Sequence, residues 1–352
     1  MKRILLLSLF CLPSWGAWSY SYPLTYDHTQ VGAGDSSNFP ALVAFNASAM
    51  KDAAHGGDAQ SSAGADILFY SDSGLTAQIA SQAIYYDNIN GIGWFRVKIG
   101  TLSHSSNGTI YMAVGNASPP PRTAGVWDAS TVAMWPFSNG TTLSMADVAT
   151  GTYTMTGNAA AAAGKVDGGA AVSRSYMGGT TTDAGFLTGN SPLTLSAWVN
   201  FTSSSLQIME WGTPGSGTGV QWSLDIDPGE VPITGGPTPI WPRYAFSNGV
   251  WYHVAVQFDG TYLTVFVNGS IIGGPSAFSL NTVPGGAIYL TPWAGNGVVN
   301  ALRVSSVARG ADWDKAEYNN ENAPGNTGSP GFWTFGARTP LAIARKRTIV
   351  VQ

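Results

Sequence analysis

Apolar and polar residues alternate with a period of two along much of this chain, in short runs broken by Gly, Asn, Asp and Ser. Ala41–Phe45, Asp66–Tyr70, Trp94–Ile99 and Thr109–Val114 are such runs in the first third; Thr131–Phe137, Thr194–Phe201 and Gln221–Asp227 continue the pattern. Successive side chains of a strand point to opposite faces, so the pattern predicts half-buried strands and an all-β sandwich. The clearest run is Trp251–Ser270, WYHVAVQFDGTYLTVFVNGS. Asp259-Gly260 predicts a two-residue hairpin turn, setting Val256 opposite Leu263, Val254 opposite Val265 and Tyr252 opposite Val267. One face of this hairpin is apolar and belongs on a core. The other, with His253, Gln257, Tyr262 and Thr264, either overlooks a groove or merely covers it. A short helix is predicted near Ala311–Tyr318, and Ala159–Ala163 reads as a loop or strand edge between Gly157 and Gly164.

Two segments interrupt the alternation. MKRILLLSLFCLPSWGA opens with Lys2 and Arg3, continues with apolar Ile4–Leu12 and ends in small residues. This predicts a secretory signal peptide over residues 1–17, too short to span a bilayer, and a product that is secreted or held at the cell surface. SPPPRTAG (Ser118–Gly125) cannot join a sheet interior and reads as a stiff extended spacer. The expected organisation is therefore two β-sandwich domains, 18–117 and 126–336, joined by a linker at 118–125. A basic tail follows at 337–352, with Arg338, Arg345, Lys346 and Arg347. The tail is expected to be solvated; the weaker alternative is that Thr348–Val351 adds a strand to another subunit's edge. No later apolar run is long enough to cross a membrane.

Composition narrows the chemistry. The formal charge of the 352 residues is −4, and −6 once Lys2 and Arg3 leave, which gives no basic face for nucleic acid. Charged residues are 10% of the chain, against about 25% in ordinary globular proteins. The lone cysteine, Cys11, lies in the signal segment after Phe10, so no lipid anchor is expected there. The mature chain then has no thiol for a disulfide, a zinc-thiolate site or nucleophilic catalysis.

LSAWVNF (Leu195–Phe201), the Trp251–Ser270 meander and LRVSSVARGADWDKAEYNNENAP (Leu302–Pro324) occur in the order of a known family. On these motifs the second unit resembles the laminin-G-like or concanavalin A-like lectin/glucanase superfamily. FPALVAF (Phe39–Phe45), GADILFYSDSG (Gly64–Gly74), WFRVKIG (Trp94–Gly100) and TIYMAVGN (Thr109–Asn116) make the first unit similar to the bacterial domain DUF2341. That domain often precedes a lectin-like domain in bacterial or phage proteins. The resemblance implies a jelly roll with ligands on its concave side or loop rim, and it leaves catalysis open. Many relatives carry Asp-Glu where this chain has Asn300-Ala301. No cofactor is expected, and calcium has no support from the sequence.

The candidate ligand-binding residues are aromatics in or beside loops of the second unit, Trp211, Trp222, Trp241, Tyr244 and Trp293, with Asn296 in WAGNG. Flat rings suit the C–H faces of sugars, so the expected partner is a glycan or cell-surface polysaccharide. The alternatives are a self-associating structural or adhesion subunit and a glycan hydrolase. The hydrolase reading rests on Asp225, Asp227 and Glu230, whose D-x-D-x-x-E spacing is close to the E-x-D-x-x-E of laminarinase-type glucanases. A retaining glycosidase needs two carboxyl groups about 5–5.5 Å apart. Pro228-Gly229 is expected to turn the chain before Glu230 and spoil that alignment. The four histidines, His28, His55, His104 and His253, lack metal-ligand spacing; His253 is expected to face Phe266. No catalytic residue and no metal ligand is assigned.

Overall fold

The structure, a computed structural model, describes residues 17–138, 142–173, 178–180, 182–213, 221–234, 239–290, 295–326 and 328–341. The expected signal peptide, apart from its last residue, and the tail beyond Leu341 lie outside the described residues.

The runs of the first third become β1 (Tyr20–Tyr26), β2 (Ser36–Asn46), β3 (Leu68–Tyr70), β4 (Ser81–Asp87), β5 (Ile92–Leu102) and β6 (Gly108–Val114). They form two antiparallel layers, β1-β6-β3 and β2-β5-β4. Their inward side chains, including Phe39, Val43, Phe69, Phe95 and Met112, fill one core.

The second unit begins with β7 (Thr131–Trp135), β8 (Thr156–Gly157), β9 (Ala160–Ala163), β10 (Gly168–Val172) and β11 (Gly178–Gly179). It continues with β12 (Leu193–Gly212), β13 (Gln221–Ile226), β14 (Ile233–Thr234) and β15 (Tyr252–Phe258). It closes with β16 (Tyr262–Val267), β17 (Ser270–Ala277), β18 (Ile288–Leu290) and β19 (Gly295–Ser305). The long strand β12 is its pivot. The first half of β12 pairs with β15 and β19, and the second half with β13 and β18. One strand thus serves both layers of a sandwich. Leu195, Val199, Ile208 and Trp211 from its length share a core with Leu224, Ile226, Val254 and Val256. The chain is almost entirely antiparallel β, with a concanavalin A-like sandwich as its second unit.

The Trp251–Ser270 meander forms, with its register moved by two residues. Val256 lies opposite Val265, Val254 opposite Val267 and Phe258 opposite Leu263. The Asp259 amide donates to the Tyr262 carbonyl at 3.1 Å and its carboxylate accepts the Thr261 and Tyr262 amides at 2.8 and 2.7 Å, which centres the turn on Gly260-Thr261, one residue past the expected Asp259-Gly260. A shift of two leaves every side chain on its expected face. The face expected to overlook or cover a groove is covered. His253 and Gln257 are buried against Glu317 and Gly310 of the helix region, Phe266 is buried as well, and Tyr262 stays exposed. His253 lies opposite Trp198 and Asn268, not Phe266.

Helix α1 (Ala311–Asn322) runs past the expected end at Tyr318, and its Trp313 and Ala316 enter the first core. After it, β20 (Trp333–Phe335) and β21 (Thr339–Pro340) pair with β1. These residues, expected to finish the second unit and begin a free tail, complete the first unit's sheet. The reason is apolar burial: Phe332 and Trp333 are 0% exposed in that core. The expected spacer is also pinned down. Arg122 donates to the Ile67 and Gly64 carbonyls, both at 2.9 Å, and lies over the Phe95 ring. Leu42 of the first unit shares a third apolar cluster with Met134, Trp198 and Ala301 of the second. The two units therefore pack directly together.

Candidate functional site

The residues with most accessible chemistry lie on the outer face of the β13–β14 hairpin. Asp227 and Glu230 exchange backbone hydrogen bonds of 3.0 and 3.2 Å across Pro228-Gly229. The returning chain then pairs with residues 240–244: Ile233 with Ile240, Val231 with Pro242 and Gly229 with Tyr244. Leu224, Ile226, Val231 and Ile233 point into the core, while Ile240 and Tyr244 pack against it. Opposed residues of antiparallel strands share a face. This register places Asp225, Pro232 and Trp241 in one outward row and Asp227, Glu230 and Arg243 in the next.

Trp241 is 48% exposed. Its neighbour Pro242 is clamped against β17, where a Cβ on Gly273 would come within 2.7 Å of Pro242. The close approach needs glycine, and it fixes the ribbon that presents the indole. Behind Trp241 the face is polar. Gln207 lies opposite Asp225 and Glu210 opposite Ser223. Gln207 donates to Glu210 at 2.9 Å, and the Ser223 and Thr234 hydroxyls meet at 2.7 Å. Asp225 Oδ1 is shielded from solvent without a hydrogen-bond partner among the described residues. Burial, then the charges of Asp227 and Glu210, push the Asp225 carboxyl up to about 7 against the opposing Ser223 hydrogen bond. Burial and Glu230 raise Asp227 as well. Glu230 sits 3.8 Å from Arg243. The Pro-Gly turn was expected to take Glu230 out of line; it instead returns Glu230 to the face of Asp227.

The other candidates separate. Tyr244 alternates with Trp241 and faces inward, its ring packed on Phe246 and Tyr252. Trp211 is the last residue but one of β12, is 2% exposed and donates its indole N–H to the Leu187 carbonyl at 3.0 Å. Such a ring offers no open face to a ligand. Trp222 belongs to β13, opposite Trp211, and its side chain lies outside the described residues, as does the whole of Trp293. Asn296 is exposed at the start of β19, where its carbonyl accepts from the Thr202 hydroxyl at 3.4 Å.

Asn300 is fully buried. Its amide donates to the carbonyls of Pro136, Val166 and Gly168 at 2.8, 3.0 and 2.5 Å and accepts the Val166 amide. A carboxylate could not make those donations, which accounts physically for the amide at this position. Among the described residues, His253, Glu317 and Glu321 have the spacing of a metal-binding group. Their carboxylates are already occupied. Glu321 takes Arg96 and the Trp198 indole, and Glu317 takes Arg303, Ser196 and the Trp313 indole. This is a buried ion-pair network, with the carboxylates taken up by arginine, serine and indole groups. Sequence reasoning missed it, although Asp314, Glu317 and Glu321 at i, i+3 and i+7 form an acidic stripe on the one predicted helix.

Residues 173–313 match the family model described as the concanavalin A-like lectin/glucanases superfamily. No curated protein matches the chain. Among solved structures, the chain is similar to domain 4 of AbnA, a GH43 extracellular arabinanase from Geobacillus stearothermophilus, in complex with arabinotriose. The identity is 19% over 54% of this chain and 98% of that one, with a TM-score of 0.42. It is also similar to the binding domain of Paraclostridial Mosquitocidal Protein 1, at 12% identity over 55% and 53% of the two chains, TM-score 0.45. A third is the botulinum neurotoxin serotype D ligand binding domain in complex with N-acetylneuraminic acid, at 11% identity over 54% and 50%, TM-score 0.42. The chain spans about half the length of these two toxin domains. No helix among the described residues is long and apolar enough to cross a membrane.

Proposed function

We propose that this protein is a secreted or surface-associated, non-catalytic carbohydrate-binding protein that takes a glycan on the outer face of the β13–β14 hairpin. The carrying observation is Trp241: an indole 48% exposed on a ribbon clamped at Gly273, in one row with Asp225. A fixed, half-exposed ring with the Glu230 carboxylate and the exposed Arg243 guanidinium in the next row suits the apolar face and hydroxyl rim of a sugar. The concanavalin A-like match at 173–313 agrees with this reading.

Hydrolysis is the second reading, favoured by the raised Asp225 carboxyl and the shared face of Asp225, Asp227 and Glu230. Asp225 Oδ1 is shut away from solvent and Glu230 lies beside Arg243, so neither offers the open approach that two-carboxylate glycoside chemistry uses. The test is a glycan-array screen of Trp18–Gln352 with calcium and then with EDTA, followed by a hydrolysis assay on any ligand found. Binding that survives EDTA, without turnover, supports the proposal. Turnover lost in Asp225→Asn would replace it with the hydrolase reading, and a blank array from folded protein would overturn it.

A further inference from the structure

The widest departure from the two-domain expectation is helix α1, which lies in the seam between the β-units and is buried against both. On the first-unit side, Asn320 exchanges hydrogen bonds with both backbone groups of Leu42, at 2.6 and 2.9 Å, and Glu321 accepts Arg96 from β5 at 2.5 Å. On the second-unit side, Arg303 from β19 reaches Glu317 at 2.9 Å and Glu321 at 3.3 Å. Ser196 and Trp198 from β12 donate to the same two carboxylates. His253 from β15 completes the ring, its Nε2 3.4 Å from Glu317 and its Nδ1 3.7 Å from Asp314. None of these ionic side chains is more than 3% exposed.

Two arginines balance two glutamates, which leaves His253 and Asp314 as a pair on their own. His253 Nδ1 and Asp314 Oδ2 are buried without hydrogen-bond partners among the described residues. One proton shared by that pair makes the whole cluster neutral. With none, the seam holds an uncompensated buried negative charge, which is costly in a site of this kind.

We propose that α1 is a proton-sensitive latch between the two β-units, shut at mildly acidic pH and loosened as the pH rises through neutrality. The charged groups facing the pair are Glu317 and Glu321 of α1, which in turn hold Arg303 and Arg96, and the rings of Trp198 and Tyr318 pack on His253. Lys165 lies over the far ring of Trp198, 5.1 Å away. Strands β2 and β17, which also touch the helix, contain no titratable residue, and the short turn His28–Gln30, which touches it too, brings His28, whose ring lies on Asn107. The direction follows from linkage. Burial, reinforced by Glu317 and Glu321 against His253, raises Asp314 to about 7. Burial pulls His253 down, but the Glu317 hydrogen bond and the Asp314, Glu317 and Glu321 charges outweigh it and raise it. The closed pair keeps its one proton to a higher pH than an open one, which gives it up near the ordinary histidine value, so opening grows from about pH 6.5 through neutrality and then levels. Glu317 runs the other way. Burial alone would raise it, yet Arg303 and its hydrogen bonds from His253 and Ser196 hold it well below the ordinary range. Acidification below about pH 4.5 therefore also opens the latch. Closure is tightest between these limits.

The test is amide hydrogen exchange of the full chain between pH 5 and 8, corrected for the intrinsic pH dependence of exchange. Protection of residues 311–322 should fall at least about tenfold from pH 5 to pH 7.5, since one linked proton changes an opening equilibrium tenfold per pH unit. Protection of β6, in the first core, should stay level. Asp314→Asn, which keeps shape and removes the titration, should flatten the change in α1. A flat wild-type profile overturns the proposal, as does a parallel fall in β6, which would mean global unfolding. The same slope in Asp314→Asn would overturn the assignment to this pair. If that variant does not fold, the wild-type comparison of α1 with β6 decides alone.

Discussion

The Arg96 guanidinium and the Glu321 carboxylate meet at 2.5 Å with each side chain 1% exposed. One comes from the middle of the first unit's sheet and the other from a helix more than two hundred residues later. Removing one partner of such a pair leaves the other charged, buried and short of a counter-ion. Arg96→Met should destabilise the protein by about 3–5 kcal/mol in chemical denaturation at pH 6, the range for breaking a buried ion pair. Arg96→Met with Glu321→Gln should recover part of that loss, because the orphaned charge goes with its partner. A double variant no better than the single would show that the packing of the Arg96 stem, and not the charge, carries the effect.

That pairing marks what was legible in the sequence and what was not. The strands were readable because a two-residue period reports burial of one face, as at Val254 and Val256, whatever lies opposite. The same period hid the two-residue slip of the hairpin, since such a slip moves no side chain to the other face. What the pattern could not carry was long-range pairing. Nothing local says that Trp333 adds a strand to β1, or that the stripe Asp314, Glu317, Glu321 meets arginines at positions 96 and 303. The helix itself was visible, but the pairing of its acidic face was not, because its partners lie on strands far away in sequence. At the hairpin site, Trp241 and the carboxylates were identified singly; their common row needed the register of residues 230–243.

Asn300→Asp should be strongly destabilising even though it changes only the amide to a carboxylate of the same shape. The buried amide donates to three carbonyls, and an aspartate there would set acceptors against acceptors. The expected loss is about 3 kcal/mol or more, from unsatisfied buried groups and a desolvated charge. Denaturation midpoints with and without calcium check this. Rescue by calcium would mean that the site can be converted to a metal site, which the donor geometry argues against.

Asp225 predicts a pH dependence of stability with a definite sign. Its folded carboxyl is raised to about 7, by burial first and Asp227 second, so the unfolded chain releases that proton earlier as pH rises. The folded state gains from keeping the proton, and that advantage is lost between about pH 4 and pH 7. Asp225→Asn should therefore match the wild type near pH 4 and exceed it at pH 8 by about 2 kcal/mol, after discounting for partial exposure. Paired denaturation curves at the two pH values measure it. An Asn variant less stable at pH 8 would mean that the ionised carboxylate makes a bond, through Oδ1 or otherwise, that outweighs its burial.

Two tryptophans of the second unit provide opposite controls for the proposed glycan face. Trp211 is 2% exposed and bonded to Leu187, so Trp211→Ala should cost about 3–5 kcal/mol of stability. Any ligand binding it loses would follow from unfolding. Trp241 stands half in solvent on a ribbon held by Pro242 against Gly273, so Trp241→Ala should change stability by less than about 1 kcal/mol. If the indole carries sugar stacking, the same change should weaken glycan binding at least about tenfold, in the range of an aromatic hot spot. Gly273→Val separates position from identity. It keeps Trp241 but drives a side chain into Pro242, so it should weaken binding by displacing the ribbon while leaving the far core intact. Titration calorimetry on the ligand from the array, beside thermal melts of all three variants, reads both quantities. Full binding by folded Trp241→Ala would remove this ring from the site and shift attention to Glu230 and Arg243 in the next row.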